Sequence, residues 1–271
     1  HEAAPAPDGI AVLQYTGGTT GVSKGAMLSH GNIVANMQQA GVLFSTYDFR
    51  EGEETLLLPL PLYHIYAFNA CLGMLARGGH TVLVPNPRDL KSLVAAFRDS
   101  GCTGFAGLNT LFVALCNDAD FRAIDFSRLK LTMSGGMALT MAAASRWKDV
   151  TGVEIVEGYG MSETSPVISV NPVNANRLGT IGIAVPSTEV RIVDDNGNEV
   201  AAGEPGELVV RGPQVMLGYW NQPGETAKVL SPDGWLHTGD VAVVTPEGYL
   251  KIVDRKEDMV VVSGFNVYPN E

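Results

Sequence analysis

From Ile10 to about residue 172, short apolar runs alternate with stretches of helical periodicity, and no other feature constrains the fold as much. Residues 55–58, 81–84, 102–106, 131–133 and 154–157 are buried-strand candidates, and 90–99, 111–117 and 139–150 are helical candidates. Successive parallel strands need a crossover long enough to hold a helix. The pattern therefore predicts an α/β fold, a mostly parallel sheet layered with helices. At its start, 10–15 reads as a strand, followed by a Gly/Thr loop and then a helix opened by Ser29, with Ile33, Val34 and Met37 on one face. Near Arg177 the period becomes two. Strands are expected at 189–194, 207–211, 241–244 and 249–254, with turns at Asp195-Asn196-Gly197-Asn198 and Pro246-Glu247-Gly248. The expected division is a Pro/Ala linker over 1–9, an α/β subdomain over 10–174 and a small antiparallel β-barrel subdomain over 175–254.

At 271 residues the chain can bury a sizeable core, and 45% hydrophobic against 17% charged residues fits a folded protein. The net charge, 18 − 29 = −11, repels nucleic acid and anionic membrane surfaces alike. Any phosphate site must therefore be built locally, from backbone N–H groups and a few placed cations. Cys71, Cys102 and Cys116 are sparse and odd in number, with no CxxC pair, which points to a reducing, cytoplasmic setting and away from a disulfide framework or zinc site. No apolar run reaches the ~20 residues of a membrane helix. The chain opens on His1 without an initiator Met and stops just after an apolar strand, so both ends are expected to be cuts within a longer protein.

Three segments carry chemistry. Tyr15-Thr16-Gly17-Gly18-Thr19-Thr20-Gly21-Val22-Ser23-Lys24-Gly25 follows a strand. Its glycines let the backbone approach an anion, its threonines add hydroxyl donors, and Lys24 adds a cation. It is not a Walker A loop, because Lys24 follows Ser23 and precedes Gly25. Alone it also fits a surface loop. Gly158-Tyr159-Gly160-Met161-Ser162-Glu163-Thr164 again lies just past a strand, where open α/β sheets place ligands. Tyr159 can stack on a flat base and Glu163 offers a hard oxygen to Mg²⁺, although a turn with a core Tyr and a solvated Glu fits equally. In Asp233-Gly234-Trp235-Leu236-His237-Thr238-Gly239-Asp240, Asp240 could accept from two ribose hydroxyls; in isolation the segment is an ordinary hairpin.

In this order the three segments resemble the adenylate-forming superfamily of acyl-CoA synthetases, luciferases and adenylation domains. Two more agree: Ser134-Gly135-Gly136-Met137 resembles its second adenine loop, and Leu60-Pro61-Leu62-Tyr63-His64-Ile65-Tyr66-Ala67-Phe68 its acyl-gate segment. The likeness to bacterial long-chain fatty-acid–CoA ligases runs from Ile10 to Glu271. It implies ATP-dependent activation of a fatty acid through acyl-AMP to acyl-CoA, with ATP, Mg²⁺ and CoA as cofactor and co-substrates. By that resemblance Thr16, Gly17, Gly18, Thr19, Thr20, Gly21 and Lys24 hold the outer phosphates and Glu163 the metal. Thr164 touches the α-phosphate; Gly158, Tyr159, Gly160, Met161 and Ser162, with Gly135, Gly136 and Met137, hold the adenine. Asp240 and Arg255 hold the ribose. Tyr63 and His64 lie near the acyl carboxylate, and Phe68 gates the acyl tunnel; a lone His beside Tyr is otherwise a packed core residue. Residues 255–271 correspond to the hinge and the start of a mobile C-terminal domain that carries a lysine needed for adenylation, so this stretch alone is expected to bind nucleotide without catalysing. Peripheral attachment of the parent at the inner membrane face stays open. The competing expectations are a ligase for an aryl or amino acid, and a non-catalytic nucleotide- or acyl-binding module.

Overall fold

The computed structural model describes the backbone of residues 5–16, 23–46, 48–256, 260–262 and 265–267, and the side chains of 5–16, 23–42 and 48–256. The first described strand, β1 (Ile10–Thr16), pairs antiparallel with β2 (Lys24–Ser29), which sets Thr16 opposite Lys24. The chain thus returns as a second strand before α1 (His30–Thr46) begins, where the sequence suggested a loop leading straight into a helix. Tertiary partners explain the difference. Ala26 and Leu28 are wholly buried, and Met27 exchanges backbone hydrogen bonds with Gly218 and Leu217 on its free edge.

The alternation continues as β3 (Thr55–Leu58), α2 (Ile65–Ala76), β4 (His80–Leu83), α3 (Leu90–Ser100), β5 (Gly104–Gly107), α4 (Asn109–Asn117), α5 (Ala119–Arg122), β6 (Leu131–Ser134), α6 (Met141–Thr151) and β7 (Ile155–Gly160). Then β8 (Val167–Val170) and β9 (Ile183–Ala184) complete a seven-stranded sheet in the order β4-β3-β5-β6-β7-β8-β9. The first five strands run parallel and the last two are added antiparallel. This sheet reaches past residue 174 to take in β9. Leu56 and Leu58 face one helical layer and Leu57 the other, as a strand buried on both faces requires.

Beyond it, β10 (Glu189–Val193), β11 (Gly206–Arg211), β12 (Leu236–Val244) and β13 (Leu250–Arg255) form an antiparallel sheet, with α7 (Pro223–Val229) inserted before β12. The expected barrel is an open sheet among the described residues: no ladder joins β10 to β13, and four strands are too few to curl around a filled interior. Its β13 edge instead meets the first unit, through backbone hydrogen bonds exchanged between Leu250 and Ile181–Gly182. A short pair, β14 (Val260–Val262) and β15 (Phe265–Val267), follows.

The largest core lies between the parallel sheet and α3, α4 and α6. Asp89 and Thr140 cap the starts of α3 and α6, and Gly101 and Gly152 end them in the left-handed region that glycine reaches without strain. Between them Trp147 is wholly buried, stacks on Phe105 at 5.4 Å, and donates its indole N–H to Thr132 at 3.1 Å. Trp147→Ala should lower unfolding free energy by ~3–5 kcal/mol. Denaturant melts check this, and a loss below ~1 kcal/mol would show that the aromatic cluster does not hold the layer together.

Candidate active site

Strand β7 changes partners along its length. Thr132, Met133 and Ser134 of β6 pair with Ile155, Val156 and Glu157; from Gly158 onward the ladder, among the described residues, is to β8. Residues 158–160 therefore project past the carboxyl end of the parallel sheet. Gly160 makes this possible: a Cβ there would stand 1.9 Å from the Pro166 carbonyl oxygen, so only glycine fits the crossing. The projecting segment carries Tyr159 into the seam between the two sheets, where its ring packs against both cores. Its hydroxyl donates to Oδ2 of Asp240 at 2.5 Å. Burial, and then the Asp240 carboxylate, hold that hydroxyl well above the usual tyrosine range, so it stays a donor. Asp240 lies opposite Arg255 in the β12–β13 ladder, and the Arg255 Nε stands 3.8 Å from its Oδ1.

All of these residues face one cleft of about 1890 Å³ at the carboxyl ends of β3, β6 and β7. Thr16 and Lys24 enter it side by side from the hairpin; Ser23 donates its hydroxyl to the Thr16 carbonyl at 2.6 Å. Gly17, Gly18, Thr19, Thr20 and Gly21 lie outside the described residues. Lys24 forms an ion pair with Glu225 of α7 at 2.6 Å and stands 5.2 Å from the centre of the Tyr219 ring. Glu225 also takes Lys228, and these two ammonium groups, Lys228 first, hold its carboxyl down to about 2. Glu163 is buried on the same wall and accepts the Tyr219 hydroxyl at 2.7 Å.

The opposite lip is the start of α2. His64 is its N-cap, accepting the Tyr66 N–H on Nδ1 at 3.3 Å. Partial burial lowers its pKa, so the neutral ring presents its Nε2 proton outward. The packed core histidine is thus replaced by one at the rim. Tyr63 is 82% exposed beside it, and Gly135, Gly136 and Met137 line the cleft from the end of β6. Two expectations are corrected. Thr164 has no exposure, and its hydroxyl donates to the Pro166 carbonyl and accepts the Met161 N–H; the neighbouring Ser162 lines the cleft in its place. In the short 3₁₀ turn 162–164 both Glu163 and Thr164 are buried, which leaves Ser162 as its hydroxyl at the cleft. Phe68 packs against the core beneath β2 and does not line the cleft, because its position on α2 faces away from it.

A family model described as AMP-binding enzyme matches residues 1–220. The chain belongs to the AMP-binding enzyme family. A long-chain-fatty-acid–CoA ligase of Escherichia coli O157:H7 is 51% identical over 267 residues, covering 98% of this chain and 47% of the ligase. A feruloyl-CoA synthase from an Amycolatopsis species is 39% identical over 267 residues, 97% of this chain and 53% of the synthase. Among solved structures, the anthranilate CoA ligase AuaEII in complex with anthranoyl-AMP matches with a TM-score of 0.90 at 30% identity, over 98% of this chain and 51% of that one. The O-succinylbenzoate coenzyme A synthetase of Bacillus subtilis, in complex with ATP and magnesium ion, matches with a TM-score of 0.86 at 26% identity, over 97% and 54%. The chain spans about half the length of the curated relatives it matches. Among its described residues no helix is long and apolar enough to cross a membrane.

The motifs leave some of the cleft wall unassigned. Tyr219 and Glu225 bind Glu163 and Lys24 from more than fifty residues away, and no spacing in the sequence announces that. Glu157 had a signal: a carboxylate ending an apolar strand. It is buried at the foot of the cleft, accepts the Leu139 N–H on Oε1 at 3.3 Å, and has no partner for Oε2. Burial pushes it up to about 7. The folded protein thus holds a proton that the unfolded chain, with an ordinary carboxyl near 4.5, has released. The contribution is intact below about pH 4.5 and fades as pH rises to about 7. Melting temperature should therefore fall more steeply from pH 5 to 7 in the wild type than in Glu157→Gln. Parallel melting curves for the two would show that Glu157 ionises normally.

Proposed function

We propose that the protein containing this chain activates a long-chain fatty acid with ATP, forming acyl-AMP and pyrophosphate, and then passes the acyl group to the thiol of CoA with release of AMP. One observation carries the reading most directly. A single cleft gathers a base-sized aromatic tethered to a carboxylate (Tyr159, Asp240), a lysine and threonine beside a Gly/Thr loop (Lys24, Thr16), a buried carboxylate (Glu163) and a neutral histidine at the rim (His64). The 51% identity to a long-chain-fatty-acid–CoA ligase supports the substrate class. On this reading Tyr159 stacks on the adenine while its hydroxyl fixes Asp240 for the ribose, with Arg255 alongside. From the rim, His64 would offer a hydrogen bond from its Nε2–H to the incoming carboxylate, which stays ionised. Ser162 takes the α-phosphate contact that Thr164 cannot reach.

Glu163 fits a magnesium ion that arrives on the nucleotide. Among the described residues no cluster of three acidic, His or Cys side chains forms a protein cage, and Mg²⁺ is commonly held by one or two carboxylates with substrate phosphates. When bound, it would neutralise charge on the departing pyrophosphate. The Tyr219 hydroxyl fixes the Glu163 carboxylate for that task. Lys24 must exchange Glu225 for phosphate oxygens.

An aromatic acid is the second reading, favoured by the 39% identity to a feruloyl-CoA synthase.

In the complete protein, Glu163→Gln should slow acyl-AMP formation by about a hundredfold or more while AMP binds nearly as before, because the lost charge acts on phosphates that AMP lacks. Asp240→Ala should do the reverse, weakening AMP by roughly 1–3 kcal/mol. Titration calorimetry and pyrophosphate release separate the two. Identical losses of AMP affinity in both variants would make Glu163 structural, and oleate giving no pyrophosphate where ferulate does would favour the aromatic acid.

A further inference from the structure

One part of the cleft wall is formed by α1 and α2 and, Tyr66 apart, belongs to none of the motifs. Tyr66, Asn69, Ala70 and Gly73 share one stripe of α2, at the spacing of neighbours on a helix face, and all four line the cleft. The flanks of that stripe are packed: Ala67 and Met74 against Leu56 and Leu58, Phe68 and Leu72 against the core beneath β2. Gly73 therefore turns inward. Yet no described atom lies within 4 Å of the position its Cβ would occupy. A glycine inside a helix is destabilising relative to alanine, and here neither a positive φ nor a close described neighbour explains it. What it leaves is space.

Met37 and Ala40 of α1 and Val167 and Val170 of β8 also line the cleft, so its walls here are apolar apart from Tyr66 and Asn69, whose amide donates to the Ser165 carbonyl. Arg77, just past the end of α2, donates from Nη2 to the Gly41 carbonyl at 2.8 Å and so ties the two helices together at the far end. The contact is tight: a Cβ on Gly41 would stand 2.6 Å from that nitrogen. At ~1.5 Å of rise per residue, the stretch of α2 from Tyr66 to Arg77 spans roughly 16 Å. That is far longer than one aromatic ring needs, and it suits an extended alkyl chain.

We infer that the slot between α1 and α2 receives the tail of the acid, with the carboxylate at the His64 end, and that Gly73 sets the depth to which the tail can enter. The inference rests on the acyl-activating reading above. It assigns to Gly73 the selective role that the resemblance gave to Phe68.

The test is acyl-AMP formation by the complete protein and its Gly73→Ala and Gly73→Leu variants, with octanoate, laurate, palmitate and oleate. Both replacements favour helix, so their melting temperatures should equal or exceed that of the wild type. Gly73→Leu should lose about tenfold or more in kcat/KM for palmitate and oleate, hold octanoate within about twofold, and leave the KM for ATP unchanged. Gly73→Ala should fall between. An equal change across all four acids, whether a loss or none, would overturn the slot. If the wild type activates none of them, the acyl reading itself fails, a result that the variants alone could not produce.

Discussion

The site depends on one backbone event, the transfer of β7 from β6 to β8 at the step from Glu157 to Gly158. Had β7 ended with its parallel neighbour, Tyr159 would sit within the large sheet and could not reach Asp240. Because the strand runs on, its glycines bridge the gap and the turn beyond them sets Glu163 into the cleft wall. Two sheets with different periodicities are thereby sewn together at a hydrogen bond between side chains 81 residues apart. The contact between Leu250 and Ile181–Gly182 makes a second stitch farther along the same seam.

Much of this was legible in the residues. Strand–helix alternation is a local property, so Leu56-Leu57-Leu58 and the helix after Asp89 could be read without any tertiary knowledge. The glycine-rich segments were legible because close approach to a ligand or a backbone leaves a compositional trace. Side-chain direction was less so. Thr164 and Ser162 are both hydroxyl residues in one motif, and only the packing of the 3₁₀ turn decides which faces the cleft. Phe68 is a similar case, since the aromatic residue was visible and the helix face it occupies was not. The strand at 24–29 was hidden because its identity comes from the loop at 217–220, which supplies its second set of hydrogen bonds. Curvature was hidden too: period-two strands announce an antiparallel sheet, but whether it closes depends on strand number and twist.

The acidic character of the chain makes the position of its cations telling. The cleft wall combines neutral imidazole and hydroxyl groups with Lys24, Lys228 and Arg255, and carboxylates stand close to each of those three cations. Such exposed pairs add little to stability. Their effect is on how the cleft's cations meet an anion. Lys24 is held at 2.6 Å by a tethered carboxylate rather than left bare. Chloride or a lone phosphate would have to displace that carboxylate one charge against one, at a disadvantage set by the tether's high local concentration. On the proposed reading, a polyphosphate that met Lys24 and a bound metal together would win the exchange. Glu225 would then be a resident counter-ion, a valence filter at the mouth of the cleft that sorts anions before any of them is recognised.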